Sequence, residues 1–387
     1  MRRPNLILYI FLGFLLKIFA LFKGQRIKHL DKITKPAFVL SNHTSFYDFL
    51  YTTTAIYPYR INYLAADKMF YDPILGKLLR LAHAIPKCLF QQDLIAVRAV
   101  KQIIAQKGIV GIFPEGQISA IGKTNLPPFV ISKLIKKQAI DVFVVKHHNA
   151  YFVNPPWSKQ SFPGRINTTI EKILTKETIL KLNENEIYNL IKDKLDYHAD
   201  SYNEKHRFSY RVGPINNLEN LIYHCPSCGF DGLTAEKNTL VCGKCGYILH
   251  YNHFGRFDQF TISDLYFKQQ AIIEKEIDEN PNFFLSGEVT LESYRNNRVC
   301  EVGKGVLSIT IDAYTYTGTM DGIKTTKIFP TVNVPYLPSD IGVNVQIYEQ
   351  YLLYQFVFED KKLATMFVHA GEYCYKLQSK AEKNNCD

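Results

Sequence analysis

A histidine and an aspartate five residues apart have the types and spacing of a catalytic pair. His43 and Asp48 follow an apolar run, Ala37 to Leu40, and precede a run of helical character. A carboxylate that accepts a hydrogen bond from one imidazole nitrogen leaves the other free to take a proton from a hydroxyl group. If Ser45 caps the helix, Asp48 falls at its third residue and can turn back to the ring. The alternative is that Asp48 only caps the helix.

The spacing alone is a weak signal. With 11 histidines and 36 acidic residues in 387, about one such pair is expected by chance. His253 and Asp258 repeat the pattern later in the chain, but no apolar strand precedes them. We therefore expect His43 to be required for activity and His253 to be dispensable.

A second motif adds the context that the pair lacks. An apolar run leads into a Pro-Glu-Gly turn at Glu115, 72 residues after His43. Together the two motifs resemble the phospholipid and glycerol acyltransferase family, typified by lysophosphatidate acyltransferases, over about residues 35–170. The resemblance implies that His43 is the general base and Asp48 the orienting acid. It implies transfer of a fatty-acyl group from acyl-CoA or acyl-carrier protein to a lysophospholipid hydroxyl, with no catalytic cofactor; 1-acylglycerol 3-phosphate is the expected acceptor.

The same resemblance implies that the acceptor is bound at Glu115 and Gly116. The loop continues Gln-Ile-Ser where the family usually has Thr-Arg-Ser, so Ile118 replaces the arginine that would bind phosphate. Lys87 is the expected substitute, with Lys123 as the alternative. A lysine is a point charge that does not reproduce a bidentate guanidinium. The acceptor headgroup therefore stays open.

Two Cys-x-x-Cys pairs, separated by 13 residues and each followed by glycine, predict a tetrahedral Zn²⁺ site with four thiolates. The residues are Cys225, Cys228, Cys242 and Cys245. Since the protein would fill all four positions, the zinc would be structural. Redox pairs or two disulfides are the alternatives, but they do not explain the paired knuckles, which resemble a zinc ribbon.

The formal net charge of +10 favours anionic partners: nucleic acid, an acidic membrane or a phosphorylated substrate. A ribbon that binds nucleic acid would carry clustered basic residues, yet Asp231, Glu236, Lys237 and Lys244 balance. This argues against nucleic acid and favours a membrane or an acyl carrier. A zinc-ribbon nucleic-acid-binding protein and a catalytically inactive lipid-binding protein remain the alternative functions.

The first segment of the chain predicts membrane contact. Residues 4–22 are largely apolar, with Lys17 as their only charge, and as a helix they would rise about 28 Å, barely the thickness of the hydrocarbon layer. We therefore expect an anchor that dips into one leaflet. The cysteine usage is not that of a secreted disulfide framework, so the protein is expected at a membrane with its active site facing the cytoplasm.

Short apolar runs that alternate with helical stretches predict an α/β domain, which the resemblance implies is an acyltransferase domain. A small zinc ribbon and a β-rich C-terminal domain closed by one helix are expected to follow it. The expected divisions are a hydrophobic anchor at 1–35, the acyltransferase domain at 36–210, the ribbon at 211–250, a connector at 251–286 and the β-rich domain at 287–387.

Overall fold

The computed structural model of the protein describes residues 1–88, 93–295, 298–350 and 352–384, the last four without their side chains. The chain divides into two compact units: residues 1–213 with 253–255, and residues 214–252 with 256–387. The division lies close to the expected end of the acyltransferase domain at residue 210. The ribbon, the connector and the β-rich region fall within one unit, so separate domains there stay a prediction. The predicted end at residue 387 lies outside the described residues.

The first unit is built on a seven-stranded sheet in the order β1-β7-β6-β2-β5-β3-β4. Strands β2 to β6 run parallel to one another, β7 is antiparallel to β6, and β1 is parallel to β7. The strands are β1 Gln25–His29, β2 Ala37–Ser41, β3 Ile61–Ala66, β4 Ile85–Lys87, β5 Ile109–Ile112, β6 Asp141–His148 and β7 Ile166–Leu174.

The central strand β2 shows why the sheet lies where it does. All five of its residues are buried, as expected of a parallel strand covered on both faces. Phe38 and Leu40 pack into the core on one face, while Ala37 and Val39 pack into the core on the other. The strand therefore carries the chain through the middle of the unit and delivers residue 42 to the carboxyl edge of the sheet.

Nine helices are described in this unit: α1 Leu6–Phe22, α2 Asp48–Ile56, α3 Leu75–Leu81, α4 Leu94–Ala105, α5 Val130–Gln138, α6 Ala150–Val153, α7 Lys176–Lys181, α8 Glu184–Leu195 and α9 Ala199–His206. The predicted α/β arrangement is thus present. In α8, Ile187, Ile191 and Leu195 form the buried stripe that the three-and-four spacing predicts.

Helix α1 is apolar and largely uncovered. It spans 17 residues, and none of the helices that the structure describes is long and apolar enough to cross a membrane. Gly13 and Ala20 are its buried positions. Its exposed apolar side chains are Leu6, Ile7, Ile10, Phe11, Leu12, Phe14, Leu15, Ile18, Phe19, Leu21 and Phe22.

The second unit begins with α10 Leu218–Leu221 and a three-stranded antiparallel sheet in the order β10-β9-β8. These strands are β8 Leu233–Glu236, β9 Thr239–Cys242 and β10 Ile248–His250. Helix α11, Ile262–Glu279, follows. It begins with a capping box in which the side chain of Thr261 and that of Asp264 bond to each other's main-chain N–H.

A second seven-stranded sheet, fully antiparallel, completes this unit in the order β14-β13-β12-β11-β17-β16-β15. Its strands are β11 Leu285–Arg295, β12 Arg298–Ile309, β13 Ala313–Met320, β14 Ile323–Pro330, β15 Ser339–Asp340, β16 Asn344–Glu349 and β17 Leu352–Phe358. Helix α12, Leu363–Asn384, ends the region and packs on the sheet through Ala364, Phe367 and Cys374. A β-rich C-terminal region that ends in one helix is thereby confirmed.

Charge is unevenly divided between the two units. Residues 1–213 contain 31 Lys and Arg against 15 Asp and Glu, whereas the rest of the chain contains 15 against 21. The excess of positive charge therefore belongs to the first unit, and the unit that contains the cysteine pairs is acidic.

Candidate functional site

The predicted pair meets at the corner between β2 and α2. The His43 Nδ1 lies 3.3 Å from Oδ2 of Asp48. The side chain of Asp48 is fully buried, while that of His43 is 19% exposed. Nε2 of His43 has no hydrogen-bond partner among the described residues. The ring is thus held at one nitrogen and open at the other, which is the arrangement that a general base needs.

Asp48 also holds the turn between the two elements. Its Oδ2 accepts the main-chain N–H groups of Thr44 and Ser45, each at 2.7 Å. The expectation that Ser45 caps α2 is wrong, because the helix begins at Asp48 and the Ser45 hydroxyl accepts the N–H of Tyr47 instead. Asp48 is itself the first residue of α2, and no side chain caps that helix. The alternative that Asp48 only caps the helix is therefore not observed: its Oδ2 holds the preceding turn and contacts the ring of His43.

Glu115 lies behind the pair and is bonded to main chain. Its Oε1 accepts the N–H of His43 at 2.7 Å, and its Oε2 accepts the N–H of Asn125 at 2.8 Å. The side chain is 4% exposed. Burial raises the pKa of Glu115 well above its usual value, although the two N–H groups act in the opposite direction. The carboxylate thus braces His43, and a direct contact between Glu115 and the acceptor stays a prediction.

The loop around Glu115 fixes the histidine from two further sides. Ser119 donates its N–H to the carbonyl oxygen of His43 at 2.8 Å. The ring of Phe113 stacks on the imidazole, with centroids 4.4 Å apart and planes 30° apart, and the ring of Tyr63 stacks on Phe113. Gly116 has a φ of 74°, a left-handed conformation that favours glycine. This conformation accounts for glycine at position 116, and binding of the acceptor by Gly116 stays a prediction.

Lys87 ends β4, at the edge of the sheet. Strands β5 and β3 lie between β4 and β2, so the main chains of β4 and β2 are about 14 Å apart at the usual strand spacing. The Nζ of Lys87 donates to the carbonyl oxygen of Cys88 at 2.7 Å, and burial lowers the pKa of the amine. The structure does not bring Lys87 to His43, and its role in acceptor binding stays a prediction. Ile118 is half-buried.

The four predicted cysteines come together in the second unit. Their Sγ atoms all lie within 4.8 Å of one another, with 3.8 Å between Cys225 and Cys245 and 3.6 Å between Cys228 and Cys242. A tetrahedral zinc with Zn–S bonds of about 2.3 Å requires sulfurs about 3.8 Å apart. All four thiols are free of disulfides. The donor set and spacing therefore fit a four-thiolate metal site.

The two cysteine pairs repeat one backbone geometry. Gly229 and Gly246 follow the pairs with φ values of 74° and 71°, and their N–H groups donate to the carbonyls of Cys225 and Cys242 at 3.0 Å. The N–H groups of Cys245 and Lys244 lower the pKa of Cys242, whereas burial raises that of Cys225. Main-chain donors thus favour a thiolate, the form that binds metal.

Some residues of the site were not predicted. The aromatic residue before the Pro-Glu-Gly turn, Phe113, carried a usable signal, because an aromatic side chain beside a histidine often stacks on it. Asn42 gave only the weak signal of a polar residue directly after a buried strand. His253 and Asp258 form no hydrogen bond or ion pair with each other in the described part of the chain, as expected of a chance repeat.

Comparisons with known proteins agree with the motifs. A family model described as "Acyltransferase" matches residues 24–134. A curated 1-acyl-sn-glycerol-3-phosphate acyltransferase of Bacillus subtilis (strain 168) is 28% identical over 113 residues, which are 28% of this chain and 56% of the relative. The chain thus spans little more than half the length of that relative.

Two solved structures are similar to parts of this chain. The 1-acyl-sn-glycerophosphate (LPA) acyltransferase PlsC of Thermotoga maritima has a TM-score of 0.39 and 16% identity, covering 49% of this chain and 86% of that one. An SsgA-like sporulation-specific cell division protein of Thermobifida fusca YX-ER1 has a TM-score of 0.17 and 15% identity, covering 28% and 98%.

Proposed function

We propose that this chain, whose residues 24–134 match the acyltransferase family model, transfers a fatty-acyl group from a thioester to the hydroxyl of a glycerol-phosphate lipid. The observation that supports this most strongly is the imidazole of His43, held at Nδ1 by Asp48 and open at Nε2. The proposed acceptor is 1-acylglycerol 3-phosphate, because the curated relative is an acyltransferase of that lipid. The proposed product is phosphatidic acid.

The reaction needs one base and no exchange of electrons with a cofactor. Nε2 of His43 takes the proton of the acceptor hydroxyl, and the oxygen attacks the thioester carbonyl. The tetrahedral intermediate then collapses with cleavage of the C–S bond, and the imidazolium returns the proton to the leaving thiolate. Asp48 holds the tautomer and stabilises the imidazolium. General-base assistance of this kind contributes about 10²- to 10⁴-fold in rate.

The charge of the first unit supports an anionic donor. With 31 basic against 15 acidic residues, this unit attracts either the phosphates of acyl-CoA or an acidic acyl-carrier protein. The acceptor phosphate adds a second anion, for which Lys87 remains the proposed cation. Since Ile118 stands where the family usually has arginine, the headgroup preference is the least constrained part of the proposal.

We also propose that α1 lies in one leaflet of a membrane, with the active site facing the cytoplasm. Its apolar side chains are exposed along its length, and with Tyr57 they line an open apolar groove of about 630 Å³. Exposed apolar surface of this extent marks a site of membrane or protein contact. Basic residues on both sides of the helix, Arg2, Arg3 and Lys23, suit an anionic lipid surface.

The second unit is proposed to hold one structural Zn²⁺ at the four cysteines. Its acidic balance of 21 Asp and Glu against 15 Lys and Arg disfavours the alternative of a nucleic-acid-binding ribbon. The remaining alternative is a lipid-binding protein without turnover. Such a protein would bind lysolipid without consuming the acyl donor.

The experiment uses the full-length protein in lipid vesicles with labelled acyl-CoA or labelled acyl-carrier protein, each with several lysolipids. We expect product from the wild type and from His253→Ala, and a fall of about 10²-fold or more in His43→Ala. No product with any donor and acceptor, or an equal loss in both variants, would overturn the proposal.

A further inference from the structure

The residue before His43 makes two hydrogen bonds to the main chain of one neighbouring residue. The side chain of Asn42 is fully buried. Its Oδ1 accepts the main-chain N–H of His147 at 2.8 Å, and its Nδ2 donates to the main-chain oxygen of the same residue at 3.2 Å. Strand β2 pairs with β6 as far as Ser41, which lies opposite Val145. The amide of Asn42 therefore takes over the ladder at the point where the main chain of β2 leaves it.

Because the side chain of Asn42 occupies the main-chain groups of His147, the main chain of His43 is free to bond to another strand's loop. Continued parallel pairing would place residue 43 opposite His147 in the register of β2 and β6. Instead, the N–H of His43 bonds to Glu115 and its carbonyl accepts from Ser119. Both of these residues follow β5, which flanks β2 on the side opposite β6. Asn42 is thus the position at which the chain passes from one neighbour to the other.

His147, on β6, also holds α2, the helix that carries Asp48. Its ring nitrogens bond to the hydroxyls of Thr52, at 2.8 Å, and Thr168, at 3.0 Å. Thr52 lies about one turn after Asp48 on α2. The ring is fully buried, and burial lowers the pKa of His147 to about 4. The imidazole of His147 is therefore neutral at physiological pH, and its two hydrogen bonds hold it in one orientation.

We propose that Asn42 and His147 form a positioning node that sets the distance between His43 and Asp48, an inference that rests on the acyl transfer proposed above. Asn42 acts on His43 through the end of β2, and His147 acts on Asp48 through Thr52 of α2. Neither residue is placed against a reacting atom. A displacement of about 1 Å in a catalytic group can cost about 10²-fold in rate, so the node would govern turnover more than substrate binding.

The test exchanges one atom of the node. Asn42→Asp keeps the shape and the acceptor for the His147 N–H, but it replaces the Nδ2 donor with an oxygen that faces the His147 carbonyl. Asn203 offers a matched control in α9, because its Oδ1 accepts the N–H of Phe208 and its Nδ2 donates to the Phe208 oxygen, both at 3.1 Å. The Nδ2 of Asn203 also donates to the main-chain oxygen of Phe254 at 2.8 Å. Asn203 is 5% exposed, so Asn203→Asp removes the same kind of bond at a comparable depth, together with one more.

We expect Asn42→Asp to lower kcat about 10- to 100-fold while KM for donor and acceptor stays within about twofold. Asn203→Asp should lose at least as much thermal stability and keep kcat. Thr52→Val, which removes the hydroxyl between α2 and His147, should lower kcat in the same direction and serves if Asn42→Asp does not fold. Equal kcat in the Asn42 and Asn203 variants, or unchanged kcat in Thr52→Val, would overturn the node.

A second readout separates this inference from the proposed function. The ¹⁵N resonances of the His43 ring report its tautomer without any substrate. We expect them to change in Asn42→Asp and to stay as in the wild type in Asn203→Asp. A wild type without turnover would refute the acyl transfer and leave this readout to decide on the node; unchanged ring resonances in Asn42→Asp would refute the node alone.

Discussion

Glu115 is bonded to the main chain of His43 and not to its ring. The 2.7 Å bond from the His43 N–H to Oε1 of Glu115 and the 3.3 Å contact from the ring to Asp48 assign separate tasks to the two carboxylates. Asp48 orients the imidazole, whereas Glu115 joins the strand carrying the base to the loop that follows β5. The Pro-Glu-Gly motif is therefore part of the support of the histidine.

The replacement Glu115→Gln tests that role. Glutamine has the same shape but one oxygen, so the N–H of either His43 or Asn125 loses its acceptor. A buried donor left unpaired costs about 1–3 kcal/mol, and we expect the free energy of unfolding to fall by that amount and kcat to fall about tenfold or more. Denaturant unfolding and steady-state kinetics measure both quantities. Glu171→Gln, which removes only a surface ion pair with Lys194, should change stability by less than about 0.5 kcal/mol.

The same variant distinguishes support from direct binding. If Glu115 contacts the acceptor, Glu115→Gln would raise the KM for the lysolipid and leave stability and kcat nearly unchanged. That result would restore the role expected from the motif and contradict the one inferred from the bonds.

Glu372 on α12 predicts a pH dependence for the second unit. Burial, with a smaller contribution from Glu274, raises the pKa of Glu372 to about 7. The unfolded chain releases this proton near pH 4.5, so between about pH 4.5 and 7 the folded state binds more protons and loses stability as the pH rises. Glu372→Gln removes that loss. We expect it to be more stable than the wild type by about 3 kcal/mol at pH 8 and nearly equal to it at pH 4.

Denaturant unfolding at the two pH values provides the measurement, with Glu301→Gln as a control at an exposed position. A gain in Glu372→Gln that is the same at pH 4 and pH 8 would show that the charge of Glu372 is not its cause.

The cysteine site predicts one equivalent of zinc for each chain. Cys228→Ser should remove the metal and unfold the three-stranded sheet around it, because the folding of small zinc modules is coupled to binding. Cys300→Ser replaces a free cysteine in β12 and should keep both the metal and the folded three-stranded sheet. Elemental analysis of the purified proteins measures their zinc content. Less than about half an equivalent in the wild type would contradict the assignment.

The exposed face of α1 predicts binding to lipid vesicles. Phe11 is 60% exposed on α1, and Leu180 on α7 is matched to it at 59%. Phe11→Asp should weaken vesicle binding about tenfold or more, because a large apolar side chain contributes about 1.5–3 kcal/mol when it leaves water. Leu180→Asp should bind as the wild type in flotation assays. Equal weakening in both would indicate nonspecific adsorption and not an anchor.

The sequence predicted the chemistry of the site better than its geometry. The residue types and the order of the two motifs were sufficient to predict a pair at a strand-to-helix corner, because that arrangement is local. The cap at Ser45 was wrong because propensity alone does not tell which of several nearby acceptors takes the N–H groups of a turn. Asp48, from three residues further on, takes two of them.

Long-range order explains the remaining differences. A glutamate is usually exposed, and only the neighbouring positions of β2 and β5 bring Glu115 under the main chain of His43. Likewise, nothing in the residues around Lys87 reports that two strands separate β4 from β2. In the second unit, alternation predicted the strands, but the pairing of β11 with β17 depends on contacts between residues more than 60 positions apart.

An imidazole stacked on Phe113 and bonded at Nδ1 has one direction left in which to receive a proton, along the lone pair in the ring plane. The acceptor must meet that fixed line while its acyl chain and its headgroup occupy their own places. Three attachment points on a glycerol backbone define handedness. In the proposed reaction, the fixed ring would therefore distinguish one enantiomer of the lysolipid from the other.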